Sequence, residues 1–148
     1  MKSIPVLIES LRSELQPWRT YVIAIDGRDG VGKSPLGRKL AIELKIPLVE
    51  SDLFLISNKG GAEYRIECLS NVINSRLSIN RPVIVEGVFV RWLLRDLDVT
   101  PNFWIYVTAE GCEGSDTWKE KFTSYEAEFN PTAANYHVEW QSTVAQFT

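Results

Sequence analysis

The chain has few of the residue types that carry thiol, metal-thiolate or histidine chemistry. Its 148 residues include two cysteines, Cys68 and Cys112, and one histidine, His137. The two cysteines have neither the spacing of metal ligands nor that of a redox motif, which favours reduced thiols in a cytoplasmic protein. His137 falls in a predicted strand with no evident nucleophile as partner, so we do not expect it to be catalytic.

Long hydrophobic runs and an excess of positive charge are also missing. No apolar run approaches the roughly 18 residues of a membrane span, and the first residues lack the apolar core of a secretory signal. A net charge of −3 provides no basic surface for a nucleic acid. We therefore expect a cytoplasmic protein without membrane or nucleic-acid partners, and a homodimer stays open. The length and the apolar share of 45% fit one domain over residues 1–148.

One strong motif stands against these absences. Gly27–Ser34 reads Gly-Arg-Asp-Gly-Val-Gly-Lys-Ser and fits G-x-x-x-x-G-K-[ST] without a gap. An apolar, largely β-branched segment over 21–26 precedes it, and leucines at helical spacing over 35–44 follow it. A loop between a strand and a helix is the context in which this motif cradles phosphates. The alternative is a glycine-rich turn that happens to precede a helix.

The residue types in this loop suit a nucleoside triphosphate. Glycines let the backbone direct successive N–H groups at an anion, and the following helix adds its positive dipole end. Lys33 can reach the β- and γ-phosphates, and the Ser34 hydroxyl can ligate a bridging Mg²⁺. We therefore predict that ATP and Mg²⁺ bind at this run: Gly27, Arg28, Asp29, Gly30, Val31, Gly32, Lys33, Ser34 and Pro35.

The rest of the hydrophobic pattern alternates helices with strands. Further helices are predicted over 4–16, 62–80 and 88–97, together with a charged, helix-like segment over 118–128. Further strands are predicted over 46–52, 83–87, 102–107 and 136–140. In the helix over 62–80, the predicted inward face is Ile66, Leu69, Ile73 and Leu77. This alternation predicts a three-layer α/β domain with a five-stranded, mostly parallel sheet.

Acidic residues fall at the ends of two predicted strands, on the rim where Lys33 is expected. Asp52 could orient a reacting hydroxyl, or it could only cap the following turn. Glu86 ends an apolar strand, a pattern typical of Mg²⁺-orienting strands, although it could also be a solvated acid. Arg28 and Asp29, inside the loop, could face the transferred phosphate, the acceptor or solvent.

Four segments in the same order carry a family resemblance. They are Ile25–Ser34, Glu50–Phe54, Val83–Gly87 and Phe103–Val107. Together they resemble the P-loop small-molecule kinases of the uridine kinase and phosphoribulokinase group, over residues 20–108. The resemblance implies the fold of the P-loop nucleoside triphosphate hydrolases with strand order 2-3-1-4-5. It also implies that Asp52 is the general base on the acceptor hydroxyl.

The chain departs from that group at two places. Pro35 replaces the Ser or Thr that usually follows the Lys-Ser pair, which removes an N–H and a hydroxyl commonly aimed at the α-phosphate. The lid, over residues 108–135, contains no arginine, so Lys119 or Lys121 would have to neutralise charge there. Alternatively this reduced lid is a solvated helix with Trp118 and Phe122 packed inward.

These patterns predict a phosphotransferase. We expect Lys33 and Asp52 to be catalytic, Ser34 and Glu86 to hold Mg²⁺, and the γ-phosphate of ATP to pass to a small alcohol. A nucleoside, a sugar or a vitamin-like alcohol would fit as acceptor. Arg65, Arg91 and Arg95 are candidates for holding an anionic acceptor, or are surface charges. A nucleotide-binding module without catalysis and an acceptor-independent NTPase remain alternatives.

Overall fold

The computed structural model describes residues 3–56 and 63–141. Within these ranges helices and strands alternate. The strands are β1 Tyr21–Asp26, β2 Leu48–Glu50, β3 Pro82–Glu86, β4 Phe103–Ala109 and β5 Tyr136–Trp140. The helices are α1 Ile4–Leu15, α2 Lys33–Leu44, α3 Ile66–Leu77, α4 Val90–Asp96 and α5 Lys119–Glu128. Short 3₁₀ turns cover Ser51–Phe54, Asp116–Trp118 and Pro131–Ala133.

The strands form one parallel sheet in the order β2-β3-β1-β4-β5. This confirms the predicted five-stranded sheet and the strand order implied by the resemblance. In the register of β1 with β3, Ile25 lies opposite Glu86. The carboxyl ends of these two central strands therefore meet at one edge, which is where ligands bind in open α/β sheets.

Alternation along the strands builds the two faces of the sheet. In β1, Ile23 and Ile25 pack with α1 and α2, while Val22 and Ala24 pack with α3 and α4. Successive side chains of a strand point to opposite faces, so a continuous apolar strand needs cover on both sides. The helices supply that cover, and the result is the predicted three-layer arrangement.

Helix α1 illustrates the energetics of these layers. The Ser3 side chain accepts a hydrogen bond from the Val6 N–H and caps the helix, and Leu7 and Leu11 are fully buried. Burying a leucine side chain contributes roughly 1.5–3 kcal/mol. The helix is therefore a packing element, as its pattern indicates.

Several predicted boundaries were wrong, and three of them have a clear cause in the structure. Strand β2 ends at Glu50 because the chain turns into the 3₁₀ segment, where the Leu55 N–H donates to the Asp52 carbonyl. Helix α3 begins at Ile66, and not at 62, because Arg65 and Glu63 first hydrogen-bond back to the 54–56 stretch. Position 62 itself lies outside the described residues.

The third boundary is that of α4, and one predicted inward residue also differs. Helix α4 starts at Val90 because Phe89 adopts a left-handed conformation with φ 57°. Ile66, predicted to face inward, is 39% exposed at the first turn of α3, whereas Leu69 and Ile73 are buried as predicted. In the part of the chain that the structure describes, no helix has both the length and the apolar character of a membrane span.

Candidate active site

The glycine-rich loop connects β1 to α2 directly. Gly27 has φ 147°, and a Cβ at this position would lie 2.5 Å from the Val107 carbonyl oxygen. Gly32, with φ 96°, precedes the first residue of α2. Both positions therefore require glycine, one for close approach to β4 and one for the left-handed turn into the helix. The strand–loop–helix context predicted for the motif is present.

Lys33 and Ser34, at the first turn of α2, point into the site. Lys33 is 7% exposed, and its Nζ donates to the Arg28 carbonyl oxygen at 2.7 Å, across the loop. Burial lowers the pKa of Lys33, while the nearby carboxylates, Glu86 first among them, act in the opposite direction. The Ser34 hydroxyl donates to Glu86 Oε1 at 3.2 Å.

Three carboxylates converge beside these residues. Oxygen atoms of Glu50, Asp52 and Glu86 lie within 4.8 Å of one another. Glu86 is buried and Asp52 is exposed. Burial raises the pKa of Glu86, and Lys33 acts against that rise. Glu50 is held in a two-pronged ion pair by Arg38, with N–O distances of 2.7 and 3.2 Å.

A cavity of about 500 Å³ connects the loop with two of these carboxylates, Asp52 and Glu86. Its far wall is apolar and aromatic and consists of Leu55, Tyr64, Val88 and Trp118. Eight of the predicted site residues line the cavity: Asp29, Gly30, Gly32, Lys33, Ser34, Pro35, Asp52 and Glu86. It does not include Gly27, Arg28 or Val31, which lie behind the loop surface.

Arg28 points away from the cavity, toward α5. Its guanidinium donates two hydrogen bonds to the Glu126 carboxylate, both at 2.9 Å, and lies 5.1 Å from the ring centre of Phe122. Tyr106 donates its hydroxyl to the same carboxylate. From sequence, Arg28 could face the transferred phosphate, the acceptor or solvent. Its guanidinium instead binds Glu126. Asp29, in contrast, lines the cavity and accepts a hydrogen bond from the Ser115 N–H.

Asp26 is a buried polar residue whose role the sequence reasoning missed. Its carboxylate is fully buried and accepts hydrogen bonds from the Gly27 N–H, the Trp104 indole N–H and the Tyr125 hydroxyl. Burial raises the pKa of Asp26 to about 6, and these donors act against the rise. An acid that ends an otherwise apolar strand was the available signal, but nothing in the sequence points to Tyr125 as partner.

The basic acceptor candidates are not brought to the cavity. Arg65 is exposed at the start of α3. The Arg91 guanidinium lies over the rings of Trp104 and Phe129, and Arg95 pairs with Glu128. None of the three arginines lines the cavity.

The lid residues divide between the core and solvent. Lys119 and Lys121 are both exposed and do not line the cavity, and the Lys121 ammonium lies over the Phe89 ring. Phe122 is buried and Trp118 packs against it, as the packed-helix alternative predicts, and Trp118 also lines the cavity. His137 is exposed on β5 and does not line the cavity.

Solved structures match this fold. One is described as a possible uridine kinase from Bacillus stearothermophilus, with 16% identity and a TM-score of 0.60, covering 91% of this chain and 98% of that one. The chain has the fold of the P-loop small-molecule kinases. A protein provisionally described as a fructose transport system kinase, from Silicibacter sp. TM1040, matches at 18% identity and a TM-score of 0.56, covering 93% and 99% of the two chains.

A sugar kinase from Janibacter sp. HTCC2649 matches at 14% identity and a TM-score of 0.53, covering 86% of this chain and 90% of that one. At these identities the likeness is one of fold. No protein-family model matches the sequence, and no curated protein matches it. The resemblance read from the four sequence segments is thus confirmed at the level of the P-loop kinase fold.

Proposed function

We propose that the protein is a small-molecule kinase that transfers the γ-phosphate of ATP to a hydroxyl group. The observation that carries the proposal is the convergence of Lys33, Ser34, Asp52 and Glu86 on one cavity beside the glycine loop. Phosphoryl transfer needs a cationic cradle for the phosphates and a carboxylate for the acceptor hydroxyl, and little covalent chemistry from the protein. The kinase neighbours in fold support the same class of reaction.

The chain supplies the groups for such a transfer. In our proposal the Lys33 ammonium exchanges the Arg28 carbonyl for phosphate oxygens and offsets charge as the γ-phosphoryl group leaves. The bond from that phosphorus to the ADP oxygen breaks, and a bond to the acceptor oxygen forms. Asp52, exposed at the cavity rim, orients the acceptor hydroxyl and accepts its proton.

The side chains present also fit a divalent metal ion. Hydroxyl and carboxylate oxygens are the ligands that Mg²⁺ prefers, and Ser34 and Glu86 already contact each other at the loop. We propose that Ser34 and Glu86 would hold the ion, Glu86 indirectly. Bound there, Mg²⁺ would neutralise charge on the phosphate groups of ATP.

The cavity favours an uncharged acceptor. Its described lining has two cationic side chains, Lys33 at the loop and Arg38, and Arg38 is already paired with Glu50. Asp52 and Glu86 face the remaining space beside an apolar and aromatic wall. A second anionic group would meet carboxylates without an available cation among the described lining residues. We therefore propose a neutral, ring-bearing alcohol as acceptor.

A second candidate is a nucleotide-binding module without catalysis. Two observations favour it. Pro35, which lines the cavity, has no backbone N–H to donate to the α-phosphate. Arg28, in the glycine loop, is bound to Glu126. The arrangement of Asp52 beside Glu86 argues against it, because a module that only binds has no use for a carboxylate at the acceptor side.

The test measures ATP consumption with Mg²⁺, alone and with panels of neutral and anionic alcohols. The kinase predicts turnover only with an acceptor, and the neutral panel should contain it. Turnover without any acceptor would instead support an NTPase, and ATP binding without turnover would support the module. Lys33→Ala should abolish binding or turnover while circular dichroism stays native, because the loss affects the loop and not the core.

A further inference from the structure

Side chains from the glycine loop are bound to the connection between β4 and β5, within a segment over 113–126 that we call the docking segment. The Asp26 carboxylate binds the Tyr125 hydroxyl at 2.7 Å, and Asp29 Oδ1 binds the Ser115 N–H at 2.9 Å. Arg28 binds the same segment through Glu126. This is the stretch that the resemblance assigns to a lid, and here it is fastened to the loop.

The Arg28–Glu126 contact has the geometry of a strong ion pair. Both carboxylate oxygens accept from the guanidinium, a third donor reaches the Glu113 carbonyl at 3.1 Å, and both side chains are less than one-third exposed. The hydrogen bonds from Arg28 lower the pKa of Glu126. A two-pronged pair that is partly shielded from water fixes orientation as well as distance. It therefore holds the backbone of residue 28 in one place.

That backbone is part of the phosphate site. The carbonyl oxygen of Arg28 accepts the Lys33 ammonium at 2.7 Å, so the position of residue 28 determines where the ammonium rests. Gly27 and Gly30, on either side, have positive φ angles, and glycines allow the loop many other conformations. A loop with this freedom loses conformational entropy when it binds phosphate, unless another element has already ordered it.

We propose that Glu126 is a positioning residue for the phosphate loop, acting through Arg28, and that the docking segment is a fixed wall of the site instead of an opening lid. The measurements of nucleotide affinity that test this proposal rest on the function proposed above. The alternative is that the Arg28–Glu126 pair breaks when nucleotide binds, so that Arg28 can then contact the phosphates. These two roles predict opposite changes in affinity when the pair is broken.

The experiment compares Glu126→Gln with Glu128→Gln. Glu128 lies on the same helix and pairs with Arg95, away from the loop, so it is a matched control. Calorimetry with Mg²⁺ and a non-hydrolysable ATP analogue should show affinity weakened roughly three- to thirtyfold in Glu126→Gln and unchanged in Glu128→Gln. Tighter or unchanged binding in Glu126→Gln would overturn the proposal.

A double-mutant cycle and hydrogen exchange complete the test. Since both residues act through one contact, Arg28→Ala together with Glu126→Gln should bind no more weakly than Arg28→Ala alone. In the absence of nucleotide, Glu126→Gln should speed amide exchange over 27–34, and Glu128→Gln should not. This readout keeps the positioning role testable even if the wild type binds no ATP, which would refute only the proposed function.

Hydrogen exchange also tests whether the docking segment is a fixed wall. Exchange over 113–126 in the wild type should not slow when the ATP analogue binds, whereas a closing lid would become more protected. Should Glu126→Gln fail to fold, Arg28→Lys keeps the charge but loses the two-pronged contact, and it should weaken affinity in the same direction. Equal exchange over 27–34 in Arg28→Lys and in the wild type would contradict the positioning role.

Discussion

Two buried carboxylates lie at the ends of neighbouring strands, and their surroundings differ. Asp26 ends β1 and accepts hydrogen bonds from Gly27, Trp104 and Tyr125. Glu86 ends β3 and accepts a single hydrogen bond, from Ser34, among the described residues. Burial raises the pKa of both side chains. Asp26 and Glu86, in adjacent strands, therefore differ in the number of hydrogen bonds that their carboxylates accept.

The difference separates an acid that is fully partnered from one that faces the cavity. Buried charges are stable only when hydrogen bonds or counter-ions replace water, and the protein provides these for Asp26. Glu86 instead faces a cavity with Lys33, Asp52 and Glu50 around it, so its unused oxygen lone pairs remain available to a ligand. We infer that Asp26 maintains the loop and that the Glu86 side of the loop carries the chemistry.

The largest effect should come from Asp52, on the Glu86 side. Asp52→Asn keeps the shape but cannot accept a proton, so we expect phosphoryl transfer to fall by roughly 10²–10⁴-fold with little change in ATP affinity. Steady-state kinetics and calorimetry measure the two quantities separately. Asp96→Asn, an exposed position at the end of α4, is a matched control. An unchanged rate in Asp52→Asn would remove this residue from the mechanism.

Glu86→Gln should have the next largest effect. Glutamine can still accept the Ser34 hydroxyl, but the charge that would hold Mg²⁺ is lost. Groups that orient a metal ion indirectly typically contribute about 10–100-fold to metal affinity. The Mg²⁺ concentration needed for half-maximal activity should therefore rise by the same factor. If Asp26→Asn raised the Mg²⁺ requirement equally, the distinction between the two acids would fail.

The local motif could be predicted because its chemistry is carried by consecutive residues. The spacing of Gly27 to Ser34 specified the loop and its flanking strand and helix, and strand β5 was predicted to its exact ends. Asp52 and Glu86 could be assigned to the loop edge because parallel strands share their carboxyl ends. Fold topology came from the resemblance, not from the periodicity.

Contacts distant in sequence could not be predicted in the same way. Arg28 and Glu126 are 98 residues apart, and Asp26 and Tyr125 are 99 apart, so no local pattern connects them. The cavity wall contributed by Tyr64 and Trp118 likewise depends on how two connections fold over the sheet. Strand β2 was predicted too long because the tight turn at Ser51 leaves no signal in an otherwise strand-like segment.

The smallest expected effect is the contribution of Asp26 to the pH dependence of stability. Its folded-state pKa of about 6 lies above the ordinary value of 3.8, so folding takes up a proton between these values. The corresponding stability is complete below pH ~4 and is lost as the pH rises through about 6. Asp26→Asn cannot titrate, so the wild-type advantage in free energy of unfolding should shrink by on the order of 1–3 kcal/mol across that window. Urea unfolding of both proteins between pH ~4 and ~7.5 measures this difference, and the contribution of Glu86 cancels because both proteins contain it. A difference that stayed constant or grew with pH would mean that the donors around Asp26 outweigh its burial, and that folding does not raise the pKa of Asp26.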